Sequence, residues 1–349
     1  MRETRLTTPT GDCRIILGGA LEDLERLVPE GRAAIVTDTT VRRFHGGRFP
    51  RLNTIAIRPG ERSKTLRTVE RIHRKFLEWE MDRSSFVVGI GGGVVCDVAG
   101  FAASTYMRGV RFGLIPSTLL AQADAAIGGK NGVNVGGVKN IAGVFNQPEF
   151  VLAEFPILGT LPRKERLCGF AEIVKHALIA DAGFFAELER VAGALLRLDP
   201  AVLQGALAES IRIKSSIVGA DEKESGDRRK LNFGHTLGHA IEKETGIPHG
   251  EAVSIGMAAA AGISARRDMI SVGAADRIRA LLGGTGLPVR IPLVPGRLIK
   301  AMRRDKKRRG NAVHLVLLSA IGRAEIVDIG YDELEGALDD LYQHRRTDA

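Results

Sequence analysis

Aromatic residues are scarce in this chain, at 5% of 349 residues, with one tryptophan and three tyrosines. A platform on which nucleic-acid bases stack needs such rings interleaved with basic residues. The formal charge of +9 does not supply them, because much of the basic excess sits in RRDKKRR (Arg303–Arg309) and in the tail His344-Arg345-Arg346. No nucleic-acid partner is expected; a basic site for a small anionic substrate accounts for the charge. Cysteine is equally sparse. Cys13, Cys96 and Cys168 are odd in number, far apart and never spaced C-x-x-C, which excludes a disulfide framework and a thiolate metal site. Long apolar runs are missing too: no stretch of about 18 apolar residues exists, and the first residues, MRETRLTTPTGDCR, lack a signal-peptide core. The expectation is a cytoplasmic protein with no membrane partner.

What remains is a globular composition, 44% hydrophobic, in a chain longer than one core usually serves. The first half alternates strand and helix patterns. RIILG (14–18), AAIVT (33–37), Thr54–Ile57, FVVGI (86–90), RFGLI (111–115) and Phe150–Ala153 read as strands, with amphipathic helices between several of them. That pattern predicts an open parallel sheet of Rossmann-like kind. Asp38, just past its strand, sits where a ribose hydroxyl is often held, although such residues also cap turns. The run Gly91-Gly92-Gly93 joins a strand to a small-residue helix, where backbone N–H groups can receive a pyrophosphate, but G-x-G-x-x-G after the first strand is absent. Residues 121–140 (AQADAAIGGKNGVNVGGVKN) read as a long irregular loop carrying Asp124, Lys130 and Lys139.

Past a link at Pro156–Pro162 the pattern is helical: 163–180, 182–198, 201–220, 229–245, 250–267 and 274–283, with one hairpin at 314–327. The predicted organisation is an α/β domain over 1–158 and a mostly α-helical domain over 159–349, with the active-site cleft between them.

Three of the eight histidines, His235, His239 and His249, fall within fifteen residues in KLNFGHTLGHAIEKETGIPHGEAV (230–253). The pattern predicts a helix through Ile241, a break at Gly246-Ile247-Pro248 and a second helix from about His249. His235 and His239 are four apart on one face, and imidazole is the commonest side-chain ligand of divalent metals. Spacing alone favours that pair. Glu172 and Lys175 lie three apart on another helix, flanked by residues too apolar for a solvated face. A buried carboxylate there calls for a cation.

The blocks GGGVVCDVAGFAASTYMRG, LIPSTLLAQADAAIGGKNGVN, KNIAGVFNQP, GFAEIVKHALIAD, LNFGHTLGHAIE, HGEAVSIGM and DKKRRGNAVHLVLLSAIG resemble the 3-dehydroquinate synthase family of sugar phosphate cyclases. They run in the family's order from about residue 35 to 330. The resemblance implies an NAD- and zinc- (or cobalt-) dependent carbon–oxygen lyase of the shikimate pathway. It would convert 3-deoxy-D-arabino-heptulosonate 7-phosphate to 3-dehydroquinate and phosphate. The steps implied are transient oxidation, phosphate elimination, re-reduction and intramolecular aldol closure. Glu172, His235 and His249 would hold the metal, with His239 moved to the substrate pocket. Arg108, Asp124, Lys130, Asn140, Lys175, Lys214, Arg228, Asn232, His239 and Lys306 would bind the anionic sugar acid phosphate. Asp38, Glu61, Lys64, Gly93, Val94, Asp97, Ser117, Thr118, Lys139 and Thr160 would bind NAD. Arg108 would reach the site of a second copy, which implies a homodimer. Some positions depart from the family pattern: Cys96, Ser117, Asn131 and the stretch NVGGVKN (134–140), and the segment before His249 is short. The last two alter the pocket rim and keep a different sugar phosphate open as the substrate. A metal-dependent polyol or glycerol phosphate dehydrogenase is the rival enzyme, separable by net NADH formation. A nucleotide- or nucleic-acid-binding protein is the non-enzymatic alternative, separable by salt-sensitive binding.

Overall fold

The computed structural model describes residues 2–290, 294–303 and 312–343. Its first half opens with β1 (Arg2–Thr8) and β2 (Gly11–Leu17), then α1 (Leu24–Leu27), β3 (Ala33–Asp38), α2 (Thr39–His45) and β4 (Asn53–Ile57). It continues through α3 (Leu66–Glu78), β5 (Phe86–Gly91), α4 (Gly93–Thr105) and β6 (Arg111–Pro116) to β7 (Lys130–Val135), β8 (Val138–Phe145) and β9 (Phe150–Ala153). Seven strands form one sheet in the order β1-β2-β9-β6-β5-β3-β4. Only β1 runs antiparallel, against β2; the other pairs are parallel. The apolar runs AAIVT and FVVGI become β3 and β5, buried at every position, as strands of a sheet covered on both faces must be.

The strand order reverses between β3 and β5: the chain leaves β3 for β4 at one edge and returns to pair β5 on the other side of β3. In parallel sheets the crevice outside the carboxyl ends of the strands at such a reversal is where ligands bind. Asp38 and Gly91 end those two strands.

Residues 121–140 are more ordered than the expected loop. Ala121–Ala125 form a turn of π-helix, and β7 pairs with β8 in an antiparallel hairpin. The reason was present in the chain: Gly136 and Gly137 both take positive φ, 59° and 77°, the geometry that a two-residue hairpin turn demands. β1 was also missed, since only Leu6 and Thr8 of RETRLTT are buried and the periodicity is weak.

Beyond β9 come α5 (Arg163–Ala180), α6 (Ala182–Leu196), α7 (Pro200–Ala220), α8 (His235–Thr245), α9 (His249–Arg266), α10 (Val272–Thr285) and α11 (Pro295–Arg303). The hairpin β10 (Ala312–Ala320) and β11 (Arg323–Gly330) follows, then α12 (Tyr331–Gln343). The helix expected over 229–245 is broken: Asp227–Asn232 form a 3₁₀ segment, and Gly234, with φ of 76°, starts α8 at His235. Pro156–Thr160, expected as a link, is a 3₁₀ turn. The compact units are not continuous in sequence. One holds the residues up to Arg166 with Pro200–Lys223; the other holds Leu167–Asp199 and the described residues from Glu224 onward. No described helix is long and apolar enough to cross a membrane.

Candidate active site

In the second unit, α8 ends at Gly246, whose φ of 71° is the left-handed cap, and Pro248 precedes α9. The break turns the chain so that the first residue of α9, His249, comes back beside α8. Small residues set how closely these helices approach. A Cβ on Gly238 would lie 3.0 Å from the Ala252 carbonyl oxygen, and one on Gly256 only 1.9 Å from that of Gly234. A Cβ on Gly250 would meet Cys168 Cα at 2.3 Å. Cys168 lies one turn before Glu172 on α5, so this contact brings His249 to the same stretch of α5 as Glu172.

Both imidazoles turn Nε2 toward one oxygen of one carboxylate. His249 Nε2 lies 3.2 Å and His235 Nε2 3.5 Å from Glu172 Oε1. Two bonds of about 2.1 Å at a tetrahedral angle span about 3.4 Å between ligand atoms, so these separations fit a zinc-sized ion. The ligand atoms of the three residues lie within 4.8 Å of one another. Each Nδ1 also has an acceptor: the Phe233 carbonyl at 3.1 Å for His235 and Glu242 Oε2 at 3.3 Å for His249. That arrangement fixes the tautomer that metal-bound imidazoles require. The donor set, two nitrogens and a carboxylate, also leaves coordination positions for oxygen ligands.

Glu172 is fully buried. Burial pushes its carboxyl up, but Lys175 and His235 outweigh that and hold it well below the ordinary carboxylate range. Lys175, equally buried, lies 2.7 Å from Oε2, the oxygen the imidazoles do not share. Burial lowers the His249 imidazolium, yet Glu172 and Glu242 together raise it to about 9. Without a metal, a proton serves as the cation between the carboxylates.

His239, which spacing favoured, is exposed at one end of this group, its ring centroid 5.2 Å from that of His235 and 5.9 Å from that of His249. It belongs to a second ligand-like triplet with Glu242 and His249. Glu242 was not singled out from the sequence; the signal was there in H-x-x-E, which puts it one turn beyond His239 on α8. Arg228 is buried in the same unit, and Asn232 Nδ2 donates to Glu224 Oε1 at 2.6 Å. Lys306 lies outside the described residues.

The first unit holds the other groups. β5 ends at Gly91, and a Cβ there would fall 2.5 Å from Val95 Cβ. Gly92 caps α4, Gly93 and Val94 open it, and Ser117 N donates to the Gly91 carbonyl at 2.8 Å. Ser117 is buried beside half-buried Thr118, at the end of β6. The first N–H groups of α4 thus open at the carboxyl end of the sheet, and a side chain at Gly91 would collide with Val95 in the first turn of that helix. Lys64 is buried and its ammonium donates to both Asp97 and Asn140. Burial raises the Asp97 carboxyl above its ordinary value, with Lys64 pulling the other way. Glu61 accepts from Asn134 of the β7–β8 hairpin at 2.7 Å. Asp38 caps α2 by accepting from Thr40 N and Val41 N through Oδ1. Thr160 pairs with His45 Nε2 at 2.9 Å. Asp124, on the π turn, meets buried Lys214 at 2.8 Å, while Arg108, Lys130 and Lys139 are exposed.

Two family models match adjoining stretches of the chain: 3-dehydroquinate synthase N-terminal over residues 54–168 and 3-dehydroquinate synthase C-terminal over 169–308. A 3-dehydroquinate synthase of Halorhodospira halophila is 45% identical over 310 residues, 86% of this chain and 87% of that one. Among solved structures, a 2-deoxy-scyllo-inosose synthase complexed with carbaglucose-6-phosphate, NAD+ and Co2+ superposes with a TM-score of 0.87. It is 25% identical and covers 97% of this chain and 100% of its own. A 2-epi-5-epi-valiolone synthase from Streptomyces hygroscopicus subsp. jinggangensis, with NAD+ and Zn2+ bound, gives 0.87 at 28% identity over 98% of this chain and 99% of its own. The chain belongs to the 3-dehydroquinate synthase family.

Proposed function

We propose that this protein converts 3-deoxy-D-arabino-heptulosonate 7-phosphate to 3-dehydroquinate and inorganic phosphate, with NAD and a divalent cation as cofactors. The observation that carries the proposal is the convergence of His235 Nε2 and His249 Nε2 on Glu172 Oε1 at separations suited to zinc or cobalt. When bound, the cation would act as a Lewis acid on substrate oxygens and NAD would accept and return a hydride.

The chain's own residues hold charge and position. Lys175 keeps Glu172 ionised in a buried setting, so that the carboxylate remains a ligand across the working pH range. Glu172, His235 and His249 are the proposed ligands. The substrate carries a phosphate and a carboxylate, and fixed cations orient such anions before reaction. Arg108, Lys130, Lys175, Lys214, Arg228 and Lys306 are the cations proposed for that task, with Asp124, Asn140, Asn232 and His239 contacting hydroxyl groups. Asp124 also holds the Lys214 ammonium in place. For the dinucleotide, the N-terminus of α4 at Gly93-Val94 takes the pyrophosphate. Asp38, Glu61, Lys64, Asp97, Ser117, Thr118, Lys139 and Thr160 complete that site. Asp38 would offer the oxygen that is not capping α2. The lyase class, a cytoplasmic location and a homodimer completed by Arg108 belong to the same proposal.

The test is product identity. Incubated with the heptulosonate phosphate, NAD and zinc, the protein should release one phosphate per carbocyclic 3-dehydroquinate, followed by ³¹P and ¹³C NMR. Consumption of a different sugar phosphate, with the heptulosonate phosphate untouched, would assign it to another cyclase activity.

A further inference from the structure

The two imidazoles of the proposed metal site differ in what holds their far nitrogen. His235 Nδ1 faces a neutral carbonyl, that of Phe233, two residues away in its own chain segment. His249 Nδ1 faces a carboxylate, Glu242 Oε2, at 3.3 Å from the neighbouring helix. Glu242 is half-buried on α8 and comes toward His249 across the Gly246–Pro248 break.

From this the geometry points to Glu242 as a positioning residue that orients His249 and raises its affinity for the divalent cation. The inference rests on the reading of Glu172, His235 and His249 as ligands. An imidazole turned over fills nearly the same space, so packing against the rings of His235 and His239 does not choose between its two orientations. An Nδ1–H donated to Glu242 chooses one. It leaves Nε2, with its lone pair, aimed at the point shared with Glu172 Oε1 and His235 Nε2. The negative charge of Glu242 also makes the ring a stronger donor than His235, whose partner is uncharged. Carboxylate–histidine–metal arrangements of this kind change metal affinity by roughly 10–100-fold when the outer carboxylate is lost.

Glu244 supplies the control. It lies two residues on in the same helix and carries the same charge, but it pairs with Arg297 Nε at 3.2 Å, away from the imidazoles. The experiment titrates cobalt(II), then zinc in competition with a chromogenic chelator, into chelator-stripped wild type, Glu242→Gln and Glu244→Gln. Thermal unfolding of each stripped protein is measured in parallel. Wild type and Glu244→Gln should bind one ion with equal affinity. Glu242→Gln should bind about 10–100-fold more weakly and show an altered cobalt d–d spectrum. Equal affinity and an identical spectrum in Glu242→Gln would overturn the assignment, as would an equal loss in Glu244→Gln. Failure of wild type to bind any ion would instead refute the ligand set itself. Should Glu242→Gln not fold, histidine-labelled wild type with zinc answers the question by long-range ¹H–¹⁵N NMR. His249 must then be metallated at Nε2 and protonated at Nδ1, and the opposite tautomer contradicts the inference.

Discussion

Lys175 Nζ lies 2.7 Å from Glu172 Oε2, while the other oxygen of the same carboxylate faces His235 and His249. One buried carboxylate thus divides its charge between a permanent cation and the proposed metal site. Lys175→Met removes the permanent partner and leaves a buried carboxylate dependent on the imidazoles. Breaking such a pair costs about 3–5 kcal/mol. Urea unfolding of the metal-free variant should show a loss of that order, and adding Glu172→Gln should recover part of it. A loss no larger than that of an exposed pair would mean the charges do not depend on each other.

The same group sets a pH dependence for protein stripped of metal. His249 stands at about 9 in the fold against 6.5 ordinarily, because Glu172 and Glu242 overcome the cost of its burial. A folded value above the unfolded one stabilises fully below 6.5, and the contribution fades as pH rises through about 9. Melting temperatures of chelator-treated protein should therefore fall between pH 6.5 and 9.5, and His249→Ala should flatten that slope.

Gly250 has a spacing role. Its missing Cβ would stand 2.3 Å from Cys168 Cα, a backbone atom that cannot swing aside. Gly250→Ala should push α9 from α5, costing about 1–3 kcal/mol as overpacking does. It should also lower cobalt affinity more than its effect on stability would suggest, because the displaced residue neighbours His249. Equilibrium dialysis beside denaturant unfolding separates the two.

Lys64 is the counterpart in the first unit. Lys64→Met leaves Asp97 in a setting that already raises its carboxyl. It should weaken NAD binding and destabilise the chain by about 3–5 kcal/mol. Lys64→Met/Asp97→Asn should regain stability without regaining NAD affinity, as isothermal titration would report.

Much of this was legible because burial writes itself into sequence. AAIVT and FVVGI have to be covered strands, and Gly246-Ile247-Pro248 has to stop a helix; both are found. The hairpin in 130–145 escaped because the apolar residues of β8 do not alternate and Val135, Val138, Ile141 and Phe145 are exposed, so no buried face marked it. Only Gly136-Gly137 signalled the turn. Spacing within one helix proposed His235 with His239, since i, i+4 neighbours are all that one helix can show. The approach of His249 and Glu172 to His235 depends on α5, α8 and α9 meeting through glycines. Glu242 escaped for the same reason: its partner lies on the next helix.

The central claim is a cyclase that returns the hydride it takes. The direct measurement supplies NAD at one-hundredth of the heptulosonate phosphate, with zinc present, and follows product and the NADH absorbance together. The account predicts complete conversion to 3-dehydroquinate and phosphate, with no net NADH and no conversion in EDTA until zinc or cobalt is restored. NADH accumulating in step with an oxidised, uncyclised sugar phosphate, and stopping when NAD is spent, would contradict it.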